Sequence, residues 1–382
     1  MTLTVFVRTR NLVIANDQAF YQFDRTGRFL MKSQSGSAVR RGLDGRLIGS
    51  TIIRPFGYRE YRQFSPYDKA IFYEEIDQVL RMASMQSIDE PQSNWIARAQ
   101  AVTSSVDQTD HEAFYQTYQH VSILPPDQYR SLVVQIAEGC SYNRCAFCDF
   151  YQDRAFHVKN DRELFEHLTA LRQFFGERLQ DRFDVFLGDG NALVVETSRL
   201  LTMMQAIRDA FPELPEDLVF STFMDTFHEK DKSLAELQTI VSAGLHNVYV
   251  GLETGLDALR LALKKPGKAE DARSAIALLK QSGFRLGVIV LVGVGGQRYA
   301  KEHREATIAL LRMIDFDDRD MIYLSPFVNP QNQAYDAWIS REGLDLWDSR
   351  TTYEELAVWK KTLHEAQVKA KVTLYSIEEH LY

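Results

Sequence analysis

The spacing of apolar and polar residues changes character along the chain. Up to about residue 53 the apolar residues come in short runs, Thr4-Val5-Phe6-Val7, Leu12-Val13-Ile14 and Phe20-Tyr21-Gln22-Phe23. Alternation with period two turns one side of an extended chain toward a core, so these runs read as half-buried strands. Asp24-Arg25-Thr26-Gly27 and Asp44-Gly45 suit the hairpin turns between them, with glycine at the position that needs positive φ. A small antiparallel β-meander is predicted. From 65 to 84 the apolar residues recur at helical spacing behind a Ser-Pro start, which predicts a helix. Residues 86–109, rich in Ser, Gln and Asp, read as a linker with a short apolar segment at Trp95-Ile96. A weaker helical stretch covers 112–120, and Leu124-Pro125-Pro126 punctuates its end.

Beyond Tyr129 the rhythm becomes strand, turn, helix, repeated. Strands are predicted at 132–137, 183–187, 218–223, 247–252, 285–292 and 321–324, and helices at 162–175, 196–210, 231–243, 269–282 and 301–313. Strands alternating with helices imply a parallel sheet with right-handed crossovers. Six such units fall short of a closed eight-strand barrel. After Asn329 a helix at 353–369 and a short strand at 372–375 are expected, positioned to close the open side of the sheet. The chain is thus read as an α/β protein in four parts: a β-meander appendage (1–62), a helical linker region (63–123), the main α/β domain (124–330) and a C-terminal helical extension (331–382).

At 382 residues, 45% hydrophobic and 25% charged, the composition is that of an ordinary globular protein. A formal net charge of -8 argues against a general grip on nucleic acid. No stretch approaches the roughly 18 uninterrupted apolar residues of a spanning helix, and the first ten residues lack the pattern of a secretory signal. A cytoplasmic protein with reduced cysteines is expected, with neither nucleic acid nor membrane as a partner.

Candidate chemistry is concentrated in one stretch. All three cysteines of the chain, Cys140, Cys145 and Cys148, lie between Glu138 and Phe150. A disulfide would leave one of them over. A zinc site could use all three with His157 as the fourth ligand. An iron–sulfur cluster would take three thiolates and leave one corner open for another ligand. The loop follows the first predicted parallel strand, and loops at the carboxyl ends of such strands converge on one ligand-binding face. Other strand ends carry Gly188-Asp189-Gly190-Asn191, Gly251-Leu252-Glu253-Thr254-Gly255, Gly293-Val294-Gly295-Gly296 and Ser325-Pro326-Phe327. Taken singly, glycines there make tight turns and Glu253 favours a helix start. Together on one face they read as a ligand site.

The segment Gly139-Cys140-Ser141-Tyr142-Asn143-Arg144-Cys145-Ala146-Phe147-Cys148 resembles the cluster loop of the radical S-adenosylmethionine (radical SAM) superfamily. That loop is usually C-x3-C-x2-C with an aromatic residue before the last cysteine, the place of Phe147. The spacing here, C-x4-C-x2-C, is similar to a subgroup related to oxygen-independent coproporphyrinogen oxidase-like and B12-binding-type members, without the B12 domain. The resemblance spans roughly 124–327. It implies a six-strand partial (β/α)6 barrel, with a 4Fe-4S cluster on Cys140, Cys145 and Cys148 and S-adenosylmethionine on the open iron. Phe147 would lean on the adenine. Gly188, Asp189 and Gly190, with Asn191 beside them, stand where the family contacts the methionine amino group; Glu253, Gly293 and Ser325 correspond to further cofactor-side positions. The implied chemistry is reductive cleavage to a 5′-deoxyadenosyl radical that abstracts hydrogen from an unidentified small molecule. A low-potential donor such as flavodoxin or ferredoxin, and oxygen sensitivity, go with it.

With every cysteine committed, no all-cysteine auxiliary cluster is available. No Asp-x-His-x-x-Gly stretch precedes the main domain, so cobalamin-dependent methylation is not expected. Arg154, His157, Lys159, Lys264, Lys265, Arg298, Tyr299 and His303 lie near predicted strand ends. They could recognise carboxylates or phosphates, or be solvated charges and helix caps. The competing class is an interaction protein whose cysteines bind structural zinc.

Overall fold

The alternating runs at the start of the chain form seven strands: β1 (Thr4–Val7), β2 (Asn11–Ala15), β3 (Ala19–Asp24), β4 (Phe29–Gln34), β5 (Ser37–Arg41), β6 (Leu47–Ile53) and β7 (Tyr58–Gln63). The computed structural model describes residues 3–54, 57–86, 89–103, 106–227, 232–330 and 332–382. Contacts divide the chain into two units. One comprises Met1–Val121, Thr169–Arg182 and Glu378–Tyr382, the other Ser122–Leu168 and Phe183–Ile377.

In the first unit the seven strands pair in sequence order as an antiparallel meander. The Asp24–Gly27 turn forms as expected: Asp24 Oδ1 accepts from the backbone N–H groups of Thr26 and Arg28, and Gly27 takes φ +89. Helix α1 (Pro66–Gln86) buries Phe72, Ile76, Val79 and Leu80 against Leu12, Ile14, Phe23, Phe29 and Leu47. Each such side chain contributes about 1.5–3 kcal/mol of burial. Where a linker was expected over 86–109, the chain forms α2 (Glu90–Val102) and α3 (Val106–Thr117); residues 87–88 and 104–105 of that stretch lie outside the described residues. Trp95, Ile96 and Ala99 are too few to register as an apolar face, yet they stand at helical spacing and pack on the same core. Asp89 caps α2 by accepting from Gln92 N at 2.8 Å. A buried ion network completes this unit: Arg41 Nη2 lies 2.8 Å from Asp107 and 2.7 Å from Asp110, and Arg28 Nε 2.7 Å from Asp110. Burial opposes ionisation of Asp110, but the hydrogen bond and charge of Arg28, with Arg41, outweigh it and hold the carboxyl below its ordinary value.

The second unit is built on β8 (Leu132–Gln135), which leads into a two-residue strand, β9 (Ala137–Glu138), paired antiparallel with β10 (His157–Val158). The cysteine segment is the long loop between these two short strands. There follow α4 (Asp161–Phe175), which belongs to this unit only as far as Leu168, β11 (Val185–Gly188), α5 (Thr197–Ala210), β12 (Phe220–Met224), α6 (Leu234–Ser242), β13 (Leu245–Glu253), α7 (Asp257–Ala262), α8 (Ala269–Ser282), β14 (Arg285–Val292), α9 (Gly296–Leu311), β15 (Met321–Pro326), α10 (Gln333–Glu342), α11 (Ser349–Glu365) and β16 (Lys371–Leu374). The expected start of the third sheet-flanking helix, Asp231, lies outside the described residues.

All six predicted strands are present, and the sheet runs β8-β11-β12-β13-β14-β15-β16 with every pair parallel. The short strand expected at 372–375 joins them as β16, which makes seven strands where the main domain by itself was read with six. β16 pairs along its whole length with β15, Met321↔Lys371 to Leu324↔Leu374, after a crossover through α10 and α11. Four residues with alternating polarity at the end of a chain give a weak periodic signal, whereas the inner strands are continuous buried runs such as Leu132-Val133-Val134 and Val288-Ile289-Val290. Among the described residues β8 and β16 do not pair with each other, so the sheet is open.

Candidate functional site: a cysteine-lined cleft

The loop between β9 and β10 is tied down at both ends of its cysteine run. Asp189, in the turn after β11, accepts from Gly139 N at 3.0 Å and from Gln135 Nε2 at 2.7 Å, and pairs with Arg154 Nε at 3.3 Å. The Gly188–Asp189 peptide bond is cis. Gly190 then passes so close that a Cβ there would stand 3.0 Å from Gly139 O and 3.3 Å from Cys140 Cβ. Asn143 takes φ +49, which lets its backbone N–H approach Cys140 Sγ at 3.4 Å while its side chain donates to Tyr151 O at 2.7 Å. Farther along, Ala146 N donates to Leu263 O at 2.9 Å and Tyr142 Oη to Lys264 O at 2.8 Å, so α7 and the segment after it hold the middle of the loop.

The three cysteines line one cleft of about 180 Å³. Its other walls come from strand ends: Phe223 to Asp225 at β12, Gly251 and Glu253 at β13, Ile289 and Leu291 on β14, and Ser325 to Phe327 at β15. Of the sequence-predicted site residues, Cys140, Cys145, Cys148, Phe147, Gly190, Glu253 and Ser325 line it. Gly188, Asp189, Asn191 and Gly293 do not. Asp189 faces the base of the cysteine loop; Asn191 donates to Asp225 at 3.0 Å and caps the following turn through Leu193 N. Gly293, at φ +94, is covered by Trp347 and Thr352.

Charge inside the cleft is balanced at one point. Glu253, at φ +63, pairs with Lys265 Nζ at 3.2 Å, and the same ammonium sits 5.8 Å from the centre of the Phe147 ring. The other basic and polar candidates turn elsewhere. Arg154 meets Asp189, His157 meets Glu163 at 2.8 Å, Lys159 meets Glu138 and Arg298 meets Glu342 at 3.2 Å. Lys264 contributes its backbone carbonyl, Tyr299 packs at a tilt against Trp338, and His303 is buried against Leu291 O. The sequence left Asp225 and Tyr142 unassigned, although Asp225 directly follows β12 and the strand-end rule would have found it.

Residues 134–311 match the family model described as the Radical SAM superfamily. The chain carries a radical SAM domain. No curated protein matches the chain by sequence. Among solved structures, coproporphyrinogen III oxidase (HemN) from Escherichia coli, described as a radical SAM enzyme, is 17% identical over 67% of this chain and 56% of its own length, with a TM-score of 0.46. Methylornithine synthase (PylB) is 15% identical, covering 64% and 70%, with a TM-score of 0.42. Elp3 of the archaeon Methanocaldococcus infernus is 13% identical, covering 64% and 56%, with a TM-score of 0.43. The chain thus spans little more than half the length of the first of these.

Radical SAM enzymes use a 4Fe-4S cluster and S-adenosylmethionine, and the donors in this domain fit such a cluster. Three unbridged cysteines share one cleft, and backbone N–H groups of Asn143 and Phe150 approach the sulfurs of Cys140 and Cys148. Burial pushes the thiols of Cys145 up to about 11 and Cys148 up to about 12, values that a metal's positive charge reverses. A single tetrahedral zinc would need its sulfurs within roughly 4 Å of one another. Among the described residues no three Cys, His, Asp or Glu side chains are grouped around one ion position, and His157 is engaged by Glu163. A cluster spreads its thiolates over separate irons. No helix among the described residues is long and apolar enough to cross a membrane.

Proposed function

We propose that this chain is a radical SAM enzyme acting on a small molecule bound in the cysteine-lined cleft. What carries the proposal is the convergence of Cys140, Cys145 and Cys148 with the carboxyl ends of four parallel strands on one cavity within a radical SAM domain. A 4Fe-4S cluster held by Cys140, Cys145 and Cys148, with S-adenosylmethionine, would supply the reductive cleavage that yields a hydrogen-abstracting 5′-deoxyadenosyl radical. The chain's own residues hold and orient. The three thiolates hold the cluster. Phe147 offers a ring face to the adenine, Ser325 a backbone edge, and Glu253 with Lys265 a compensated charge pair beside the cofactor. Asp189 is assigned to the cysteine loop, whose Gly139 N–H and Arg154 it holds in place, and Gly190 lets the backbone pass against Cys140. The apolar walls, Phe223, Ile289, Leu291 and Phe327, exclude water from the reacting atoms.

The electron comes from a low-potential protein such as flavodoxin or ferredoxin, the enzyme is oxygen-sensitive, and it works in the cytoplasm. Anaerobic reconstitution tests the proposal. The expected preparation is brown, holds about four irons per chain and forms 5′-deoxyadenosine from S-adenosylmethionine under dithionite. Cys145→Ala should lose both the iron and the product. A preparation that takes up one zinc, or an iron-loaded one that never forms 5′-deoxyadenosine, would refute it.

A further inference from the structure

The cysteine loop carries positive charge on a side that faces away from the cleft. Ala146 N donates to Leu263 O and Tyr142 Oη to Lys264 O, so residues 142–146 run beside the end of α7. Arg144 stands midway between those two ties and one peptide unit, about 3.8 Å of backbone, from Cys145. Arg144 and Lys264 are both exposed, and among the described residues neither has an ion-pair partner. Lys265, Arg154 and Lys159, close by in the chain, are by contrast taken by Glu253, Asp189 and Glu138. Leu261 on α7 is 80% exposed. None of Arg144, Leu261 and Lys264 lines the cleft.

The backbone under Lys264 adds a second observation. α7 closes with Lys265 N donating to Arg260 O at 2.9 Å and Lys264 N to Leu261 O at 3.1 Å, which sets Lys264 in the left-handed region at φ +54. Glycine is the usual residue at that position and any other side chain is strained there. Packing does not account for the lysine, since its side chain is exposed. Of the acids in the same two segments, Glu253 is held by Lys265, Asp257 accepts from Ala269 N at 2.7 Å, and Asp149 lies past the last cysteine. A chain of net charge -8 repels an acidic protein except where cations stand exposed and unopposed.

Resting on the proposed radical SAM function, we infer that Arg144, Lys264 and Leu261 form the docking face for the electron donor, an acidic flavoprotein of the flavodoxin type. Its carboxylates meet the two cations, and the apolar edge of its flavin meets Leu261, a contact for which an iron–sulfur carrier has no counterpart. The reduced flavin, an anionic hydroquinone, gives one electron to the cluster beside Cys145, keeps its N5 proton and ends as the neutral radical. No bond to the chain forms or breaks.

The test measures binding of oxidised flavodoxin to the full chain, loaded anaerobically with its cluster, by titration calorimetry at low salt. Lys264→Glu should weaken binding at least about fivefold, and the loss should shrink as salt is raised to about 0.5 M. Lys264→Gly relieves the left-handed strain, so it should raise the melting temperature while still weakening flavodoxin. Leu261→Ala should weaken it about threefold. Lys361→Glu, exposed on α11, changes the net charge equally and should bind as the wild type does. Equal losses in Lys264→Glu and Lys361→Glu, affinity indifferent to Lys264→Glu, no saturable binding to the wild type, or a ferredoxin weakened by Lys264→Glu while flavodoxin is not, would each overturn the inference. Formation of 5′-deoxyadenosine is followed in the same preparations with dithionite and with reduced flavodoxin, and Lys264→Glu should slow only the second. No product under dithionite defeats the proposed function whatever flavodoxin does; product under dithionite with contrary flavodoxin behaviour defeats only the docking face.

Discussion

His303 is a group whose protonation the radical SAM domain resists. It is 2% exposed on α9, with Nε2 2.9 Å from Leu291 O near the end of β14 and Nδ1 2.8 Å from Thr254 Oγ1 in the loop after β13. A carbonyl can only accept, so Nε2 carries the proton and Nδ1 accepts from the threonine: the neutral ring satisfies both partners. Burial then depresses its pKa from 6.5 to about 4. Between these values the unfolded chain binds a proton that the folded chain refuses. The stabilisation is therefore complete above pH 6.5 and is lost as pH falls toward 4. The whole difference is worth about 3 kcal/mol, of which about 2 kcal/mol is gone by pH 5. Urea unfolding at pH 7 and pH 5, carried out anaerobically on wild type and His303→Gln, isolates it. His380 in the other unit is depressed to about 4 by burial as well, but it is common to both proteins and cancels. Wild type should lose about 2 kcal/mol more than the variant between the two pH values. Equal losses, within about 0.5 kcal/mol, would refute the assignment of a neutral buried ring.

Gly296→Ala should lower stability by more than about 2 kcal/mol, because φ is +58 and the new Cβ would stand 2.3 Å from Asp345 O. Gly343→Ala, at φ +59 with nothing within 4 Å, supplies the control and should cost only about 1 kcal/mol in thermal melts; equal costs would show that the contact with Asp345 is not the cause. Asp110→Ala strips Arg28 of its carboxylate and leaves Arg41 with Asp107 alone in the first unit, and should cost about 3 kcal/mol by denaturant unfolding; a cost under about 1 kcal/mol would mean that the network is hydrated. Asp189→Asn leaves one acceptor oxygen for the two donors Gly139 N–H and Gln135 Nε2, and removes the charge partner of Arg154. Iron bound per chain after reconstitution should fall by roughly half or more; full loading with impaired S-adenosylmethionine binding would return Asp189 to a cofactor contact.

The parallel strands were legible because a strand buried on both faces must be an unbroken apolar run, and turns with helices separate those runs. β16 and the pair β9 and β10 were faint or invisible for the opposite reason: two to four residues carry no period, and their pairing depends on what lies opposite. α7 escaped notice for its brevity, and α2 because three apolar residues sufficed to seat it. At the site, the cysteines were readable as a local spacing, and Glu253 and Ser325 as strand ends. The basic residues near strand ends stayed open between substrate contacts and solvated or capping charges, because a sequence cannot show that Arg154 meets Asp189 or Lys159 meets Glu138.

Glycine-rich strand ends show where such inference stops. Gly190 and Gly296 satisfy one physical demand, that no Cβ stand where another chain segment passes. At Gly190 the segment is the cysteine loop, with Gly139 O 3.0 Å from the absent Cβ; at Gly296 it is the stretch before α11, with Asp345 O at 2.3 Å. Close approach was therefore readable at both, while its object was not: a ligand, a cofactor loop and a packed C-terminal segment all ask for the same missing atom. What separates them is the neighbour. That is why Gly190 stays with the candidate site, and why Gly293, beneath Trp347 and Thr352, is better explained by the packing of the C-terminal extension.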